Sequence, residues 1–258
     1  AKEDICYVDG SEFVIGTERI DMGLSVAAKD CPKKLVSMGA YVIILPDKKY
    51  INTSKIPDDI SEDIPDDSYG SIEAQFPRAG AAAQDVTFSL CTLTGAPYEK
   101  VETNTIAPED TTKIWLDTSA TPHVLKQYAS ARGMWVTIPT TYIKISSPGI
   151  GTDFAQYDGV TIRGIVVPGL GELNGTMVVQ NRDADYIVVI GILDETTTQT
   201  ASQGIITVKR QMPNMDFVIE CKNRLWGCRY GADINGNVVN EIYCCKLGDF
   251  KNCNCFTS

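Results

Sequence analysis

The chain is poor in the residues on which most enzyme and metal chemistry depends. It has a single histidine, His123, among 258 residues. That leaves one residue for every histidine-dependent mechanism and rules out histidine-rich zinc sites. No Cys-x-x-Cys clip occurs, although there are nine cysteines, at 6, 31, 91, 221, 228, 244, 245, 253 and 255. Tight pairs of that kind are how structural zinc sites announce themselves. There is no Gly-x-Ser-x-Gly elbow, so a hydrolase of that type is not indicated. Long apolar runs are missing too; Tyr41-Val42-Ile43-Ile44-Leu45 is typical. A membrane helix needs about 20 apolar residues, so no membrane span is expected. Basic residues are outnumbered, 23 against 33 acidic ones, for a net charge of −10. Such a balance repels a phosphate backbone, and no specific nucleic-acid binding is expected.

Helical periodicity is scarce as well. The best candidate is Pro122 to Ala129, read as two helical turns with Thr121 as N-cap and Pro122 at the first position. Nearly every other apolar stretch reads as strand. Glu12 to Gly16, Ala40 to Leu45, Val86 to Leu90 and Thr137 to Ile145 are short, β-branched or aromatic, and bounded by turn residues about ten positions apart. The fold class predicted is therefore all-β and antiparallel.

Composition divides the chain into residues 1–75, 76–205 and 206–258. The first part contains a hairpin that turns at Pro46-Asp47-Lys48-Lys49, with proline setting φ and aspartate supporting the bend. It ends in an acidic run, Ile56 to Asp67, which reads as a solvated loop in preference to a calcium site. The middle part opens with Arg78-Ala79-Gly80-Ala81-Ala82-Ala83. It closes with short strands around Val160 to Gly164, Leu173 to Val179 and Asp185 to Gly191, which suggests a small barrel or sandwich. Its last polar run, Glu195 to Ser202, reads as an exit linker. The third part resumes with strands at Asp216 to Glu220, Asn223 to Cys228 and Asn240 to Cys245. Cys31-Pro32-Lys33-Lys34-Leu35 and Cys221-Lys222-Asn223-Arg224-Leu225 form a weak internal echo, as repeated small meanders do in propellers.

Several motifs are better explained as turns. Gly169-Leu170-Gly171 follows a strand, but Asn174 replaces the third glycine of a dinucleotide fingerprint and a strand follows in place of a helix. Asp233-Ile234-Asn235-Gly236-Asn237 imitates a calcium loop with its glycine misplaced, and Asn-Gly between strands is a hairpin turn. His123 could be drawn with Asp117 and either Ser130 or Cys91, but nothing in the spacing fixes a nucleophile and base together. Cys253-x-Cys255 places two thiols on one strand face, and Cys244-Cys245 on opposite faces; buried, reduced thiols of a cytoplasmically made protein are the simpler reading. No cofactor is expected. Trp115, Trp135 and Tyr142 are candidates for stacking against a sugar. The charged start, Ala1-Lys2-Glu3-Asp4, carries no secretion signal, and the chain reads as a piece of a longer polypeptide.

Asn223-Arg224-Leu225-Trp226-Gly227-Cys228, then Asn240-Glu241-Ile242-Tyr243, then Lys246-Leu247-Gly248-Asp249-Phe250-Lys251-Asn252 resemble a recurring blade motif of tailed-phage virion proteins of the tail tube, nozzle or hub. Lys34 to Tyr50 and Tyr69 to Ala74 resemble the same group. Cys244-Cys245 stands in place of the usual small residues, and Cys253 where tryptophan is expected. The resemblance implies partial β-propeller-like blades at both ends of the chain, with the middle part inserted between them. It also implies a structural, non-catalytic virion component made in the bacterial cytoplasm, a homo-oligomeric ring, and partners among other phage tail proteins. Arg224, Leu225, Trp226, Tyr243 and Asp249 become structural or interface candidates. The alternative is a module that binds a host-surface glycan or protein through the aromatic residues of the middle part, and behind it an enzyme that degrades polysaccharide.

Overall fold

The computed structural model describes residues 5–26, 32–57, 63–232 and 235–253. They form an all-β fold of several mostly antiparallel sheets, joined by turns and three short 3-10 segments. Contacts divide the chain into two compact units. One comprises residues up to Ala74 together with Arg210 onward, and the other is Gln75–Lys209.

The first unit begins with a meander, β1 (Cys6–Asp9), β2 (Glu12–Ile15) and β3 (Glu18–Asp21). A second meander follows: β4 (Lys34–Met38), β5 (Tyr41–Leu45), β6 (Lys49–Asn52) and β7 (Tyr69–Ser71). Strand β5 has almost no polar residue, and its two faces explain why. Val42 and Ile44 join Phe13, Ile15 and Ile20 in one core cluster. Ile43 and Leu45, on the opposite face, join Leu225, Cys245 and Phe250 in another. A strand covered on both sides reads as a continuous apolar run, because neither parity needs to meet water. Of the acidic run, Lys55 pairs with Asp67 and Ile56 is buried; residues 58–62 lie outside those described.

The second unit comprises β8 (Ala74–Phe76), β9 (Val86–Cys91), β10 (Val101–Asn104), β11 (Ile114–Asp117), β12 (Val124–Ala129), β13 (Met134–Thr137) and β14 (Tyr142–Ser146). These are followed by β15 (Gly159–Arg163), β16 (Gly175–Val178), β17 (Asn181–Asp183), β18 (Tyr186–Ile190), β19 (Thr197–Gln199) and β20 (Thr207–Arg210). They make three open sheets, ordered β10-β11-β12-β13, β17-β18-β14-β9-β19 and β16-β15-β20-β8. None closes, so of the barrel or sandwich suggested by the glycine corners the barrel does not form. The pairing of β10 with β11 is parallel, an exception to the antiparallel rule. Buried cross-strand neighbours hold the five-stranded sheet: Ile143 lies opposite Val189, and Ile145 lies between Ile187 and Phe88. Gly191 packs closely beside them: a Cβ there would lie 2.8 Å from Ile143 Cδ1, so Ile143 would have to move to admit one.

Two expectations are corrected here. Residues 124–129 are strand β12 and not helix, because Leu125 and Lys126 are held opposite Leu116 and Trp115 by pairing with β11. The run read as an exit linker contains β19, which pairs with β9 and buries Gln199 at 1% exposure. Gln199 Nε2 donates to Gly164 O (2.8 Å) and Gly204 O (3.0 Å), while its Oε1 accepts from Val166 N (2.9 Å). A buried amide is stable only with its partners supplied, and here the backbone supplies them. The segment after Gly169 is a 3-10 turn leading into β16, as the turn reading requires.

The chain then completes the first unit with β21 (Phe217–Glu220), β22 (Leu225–Ala232), β23 (Val238–Lys246) and β24 (Asp249–Cys253), a third meander. Strands β22 and β23 form a long hairpin whose tip includes Gly236 at positive φ; Asp233 and Ile234 lie outside the described residues. A register shift at Cys245/Lys246 breaks the ladder with β24.

Candidate functional site

Three places bring chemistry-bearing or interaction-bearing residues together. The first is the β10–β13 sheet. Cross-strand pairing puts Trp115, Lys126, Tyr128 and Trp135 on one face. The two tryptophan rings meet edge to face at 5.7 Å, and Tyr128 meets Trp135 at 5.6 Å. Lys126 Nζ lies 4.6 Å over the Trp115 ring and donates to Asp117 Oδ2 at 2.7 Å. Trp115 is 7% exposed and its Nε1 donates to Asn104 O, so its ring is committed to packing. The hydrogen bond from Lys126, then those from Ser119, hold the buried Asp117 carboxyl down at about 2. Tyr142 belongs to β14 in a different sheet, and Tyr128 takes the place beside Trp135 that spacing alone does not reveal.

The second place is a cleft of about 500 Å³ lined by Thr121, His123, Pro168, Asp194 and Glu195 among others. His123 Nδ1 lies 2.7 Å from Asp194 Oδ1, both side chains being partly exposed. The sequence gives no hint of this partner, 71 positions away. Asp117 is engaged by Lys126 and Ser119, and Cys91 donates to Tyr142 O, so neither serves His123. A carboxylate on Nδ1 fixes an imidazole's orientation, but the described residues place no nucleophile in hydrogen-bond contact with it.

The third place is the β21–β24 sheet, which holds the residues singled out by the phage resemblance. Leu225 is buried in the core shared with β5, and its N–H donates to Cys245 Sγ at 2.9 Å. Arg224 Nη1 donates to Cys245 O at 2.8 Å. Asp249 caps the start of β24, accepting from Lys251 N (3.0 Å) and Asn252 Nδ2 (2.6 Å). The Tyr243 hydroxyl donates to Glu241, and burial followed by that contact pushes its pKa up to about 12. Gly227 is buried on the same face as Leu225; a Cβ there would fall 2.0 Å from Met215 Sδ and 3.1 Å from Phe217 O.

Trp226 points the other way. Register puts it on one face with Ile219 and Cys244, and puts Phe217, Cys228 and Ile242 in the adjacent row. Phe217 stacks on Tyr230 at 5.8 Å. Cys244 is buried at this face and Cys245 at the opposite one. The other large side chains of the face, Phe217, Ile219, Trp226, Tyr230, Val238 and Ile242, are 42% to 78% exposed.

Among the described residues no group of three or more His, Cys, Asp or Glu side chains is placed to hold a metal ion, and no helix is long and apolar enough to cross a membrane. Cys31 and Cys255 lie outside the described residues. Compared with known protein families, curated proteins and solved structures, the chain matches none.

Proposed function

We propose that this chain is a structural, non-catalytic component of a tailed-phage or prophage virion, in the tail tube, nozzle or hub. It assembles there as a ring with copies of itself and with other tail proteins. One observation supports the reading most. The segments that carry the resemblance, Lys34 to Tyr50 with Tyr69 to Ala74, and Asn223 to Asn252, belong largely to two four-stranded meanders, β4–β7 and β21–β24, which share one buried core. Face-to-face stacking of consecutive four-stranded meanders is how propeller blades bury their apolar faces. In this reading β1–β3, β4–β7 and β21–β24 are blades of a partial propeller, and residues 75–209 are carried as an insertion between two of them.

The test is immunogold electron microscopy of particles induced from the host, with antibody against this chain. Gold on the tail or its neck is the expected result. Bare particles, with antigen found only in the soluble lysate, overturn the reading.

A further inference from the structure

The sheets of the first unit are stacked, and the stack has two unlike ends. In the middle, β5 presents apolar side chains to both sides, and each side is covered by a neighbouring sheet. At one end the outer face of β1–β3 carries Asp9, Glu12, Arg19 and Asp21, with Tyr7 as its one exposed aromatic among the described residues. Arg19 bonds Asp9 at 2.8 Å and Glu12 at 2.7 Å, and Val14 on the same face is buried. That end is finished as repeat arrays finish their terminal repeats, with a polar outer surface.

The other end is bare. Between Trp226 and Ala232 on β22, Val238 and Cys244 on β23, and Phe217 and Ile219 on β21, the described positions of the outer face carry no charge, in a chain where 22% of residues do; the charges begin at its edge, with Lys246 at the end of β23. A second cation reaches its rim: Lys34 Nζ lies 5.7 Å from the Phe217 ring. With about 150–250 Å² for a large side chain, the six exposed side chains present roughly 700 Å². The largest apolar patch on an ordinary monomer is about 300–600 Å². A standard interface takes about 800 Å² from each partner. The patch thus has the size of half an interface, and it continues a series of sheet-on-sheet contacts already present inside the unit.

We infer that this face seats the same face of a second copy of the chain, in a two-fold pair. Charge selects the geometry. Two molecules of net charge −10 repel, and a face without carboxylates, with only Lys34 and Lys246 at its edges, lets them meet with the least repulsion. Head-to-tail stacking would press the Arg19–Asp9–Glu12 network against Trp226 and Ile242, at a desolvation cost that apolar side chains cannot offset. Like face on like face buries mainly apolar surface, with Asn240 and the Tyr230 hydroxyl as its polar groups, and an isologous contact closes on itself without growing into a filament. The inference rests on the assembly reading for its biological meaning, and makes a pair of chains the unit from which a ring is built.

The test is sedimentation of the purified chain over a micromolar concentration series, with Trp226→Asp and Ile242→Asp made separately and far-UV circular dichroism as the check on folding. Both side chains are substantially exposed, so the folded monomer tolerates the change. A dimer that each substitution weakens by at least about thirty-fold, ~2 kcal/mol at an interface hot spot, is expected. Cys228, partly exposed between Phe217 and Ile242, gives a second readout in the unsubstituted chain. Its alkylation should slow as concentration rises. A chain that stays monomeric throughout, or a dimer indifferent to both substitutions with Cys228 unprotected, overturns the inference. Loss of the dimer on Arg19→Glu alone would overturn it in favour of head-to-tail packing. The two readings fail separately. A monomer found by immunogold on virion tails removes the two-fold pair and keeps the assembly role; a dimer absent from particles does the reverse.

Discussion

Lys33 and Asp47 form an ion pair in which each side chain is only 7% exposed. Asp47 sits in the turn between β5 and β6, yet its carboxylate serves a distant segment. Oδ1 accepts from both the N–H and the hydroxyl of Ser25 at 2.7 Å, and Lys33 also donates to Ser25 Oγ. Burial works to raise the Asp47 carboxyl, but the hydrogen bonds from Lys33 and Ser25 outweigh it and hold the group below its ordinary value.

Removing one partner of a buried pair strands the other charge. Lys33→Met or Asp47→Leu alone should cost about 3–5 kcal/mol, while the double substitution should cost much less. Urea denaturation of the two single variants and the double variant measures this as a thermodynamic cycle. Additive losses would show that the pair is not coupled.

Acid should act on the second unit through Asp117. Its folded carboxyl, near 2, lies below the unfolded value of about 3.8. A depressed carboxyl contributes stability that is fully present above the unfolded pKa and is lost as pH falls through the folded one. Between pH 5 and 2 the unsubstituted chain should therefore lose stability more steeply than Asp117→Asn. Denaturant midpoints followed by tryptophan fluorescence, with Trp115 and Trp135 beside the site, report the difference. Parallel pH profiles would remove Asp117 as a contributor.

Gln199 offers a sharper mutational test. Gln199→Leu keeps the volume but leaves the N–H of Val166 and the carbonyls of Gly164 and Gly204 without their side-chain partner. The expected loss is about 2–4 kcal/mol, from roughly 1–3 kcal/mol for each group left unsatisfied. Gln199→Glu should recover little, because a carboxylate accepts but cannot donate to the two carbonyls. Thermal melts of both variants provide the measurement, and a change under 0.5 kcal/mol in the leucine variant (about the scatter expected of a surface site) would contradict the clamp.

Thiol labelling separates the cysteines by environment. Cys221 is exposed, whereas burial pushes Cys91 up to about 11 and, with Cys245 adding to it, Cys253 up to about 12. Since the thiolate is the reactive form, among the described cysteines of the native protein at pH 8 Cys221 should be alkylated first. Cys91 and Cys253 should lag by orders of magnitude until denaturant is added. Peptide mass spectrometry after timed quenching shows the order; early modification of Cys91 would mean its strand opens readily.

Strand content was legible because β-branched runs between turn residues have few other uses, and Tyr41 to Leu45 already carried the mark of two-sided burial. The turn at Asn235-Gly236 was legible for the same local reason. What stayed hidden is settled by partners far away in the chain. Val124 to Ala129 has helix-compatible spacing until β11 fixes the register of Leu125 and Lys126. Gln199 looks like linker until Gly164 and Gly204 appear beside it, and His123 shows no trace of Asp194. The bare face was half visible: Phe217-Val218-Ile219 announces apolar side chains of both parities, but only the placement of Leu225 and Phe250 decides which parity is covered.

The first unit is also split in time. Its β1–β7 segment leaves the ribosome well before β21–β24, and at about 5–20 residues per second the stretch from Ser71 to Leu225 takes roughly 8–30 s to synthesise. Throughout that interval Met38, Ile43 and Leu45 lack the Leu225 and Phe250 that cover them in the finished molecule. The unit begun first is therefore completed last, and one apolar face of β5 goes without its final partners while the intervening unit is made.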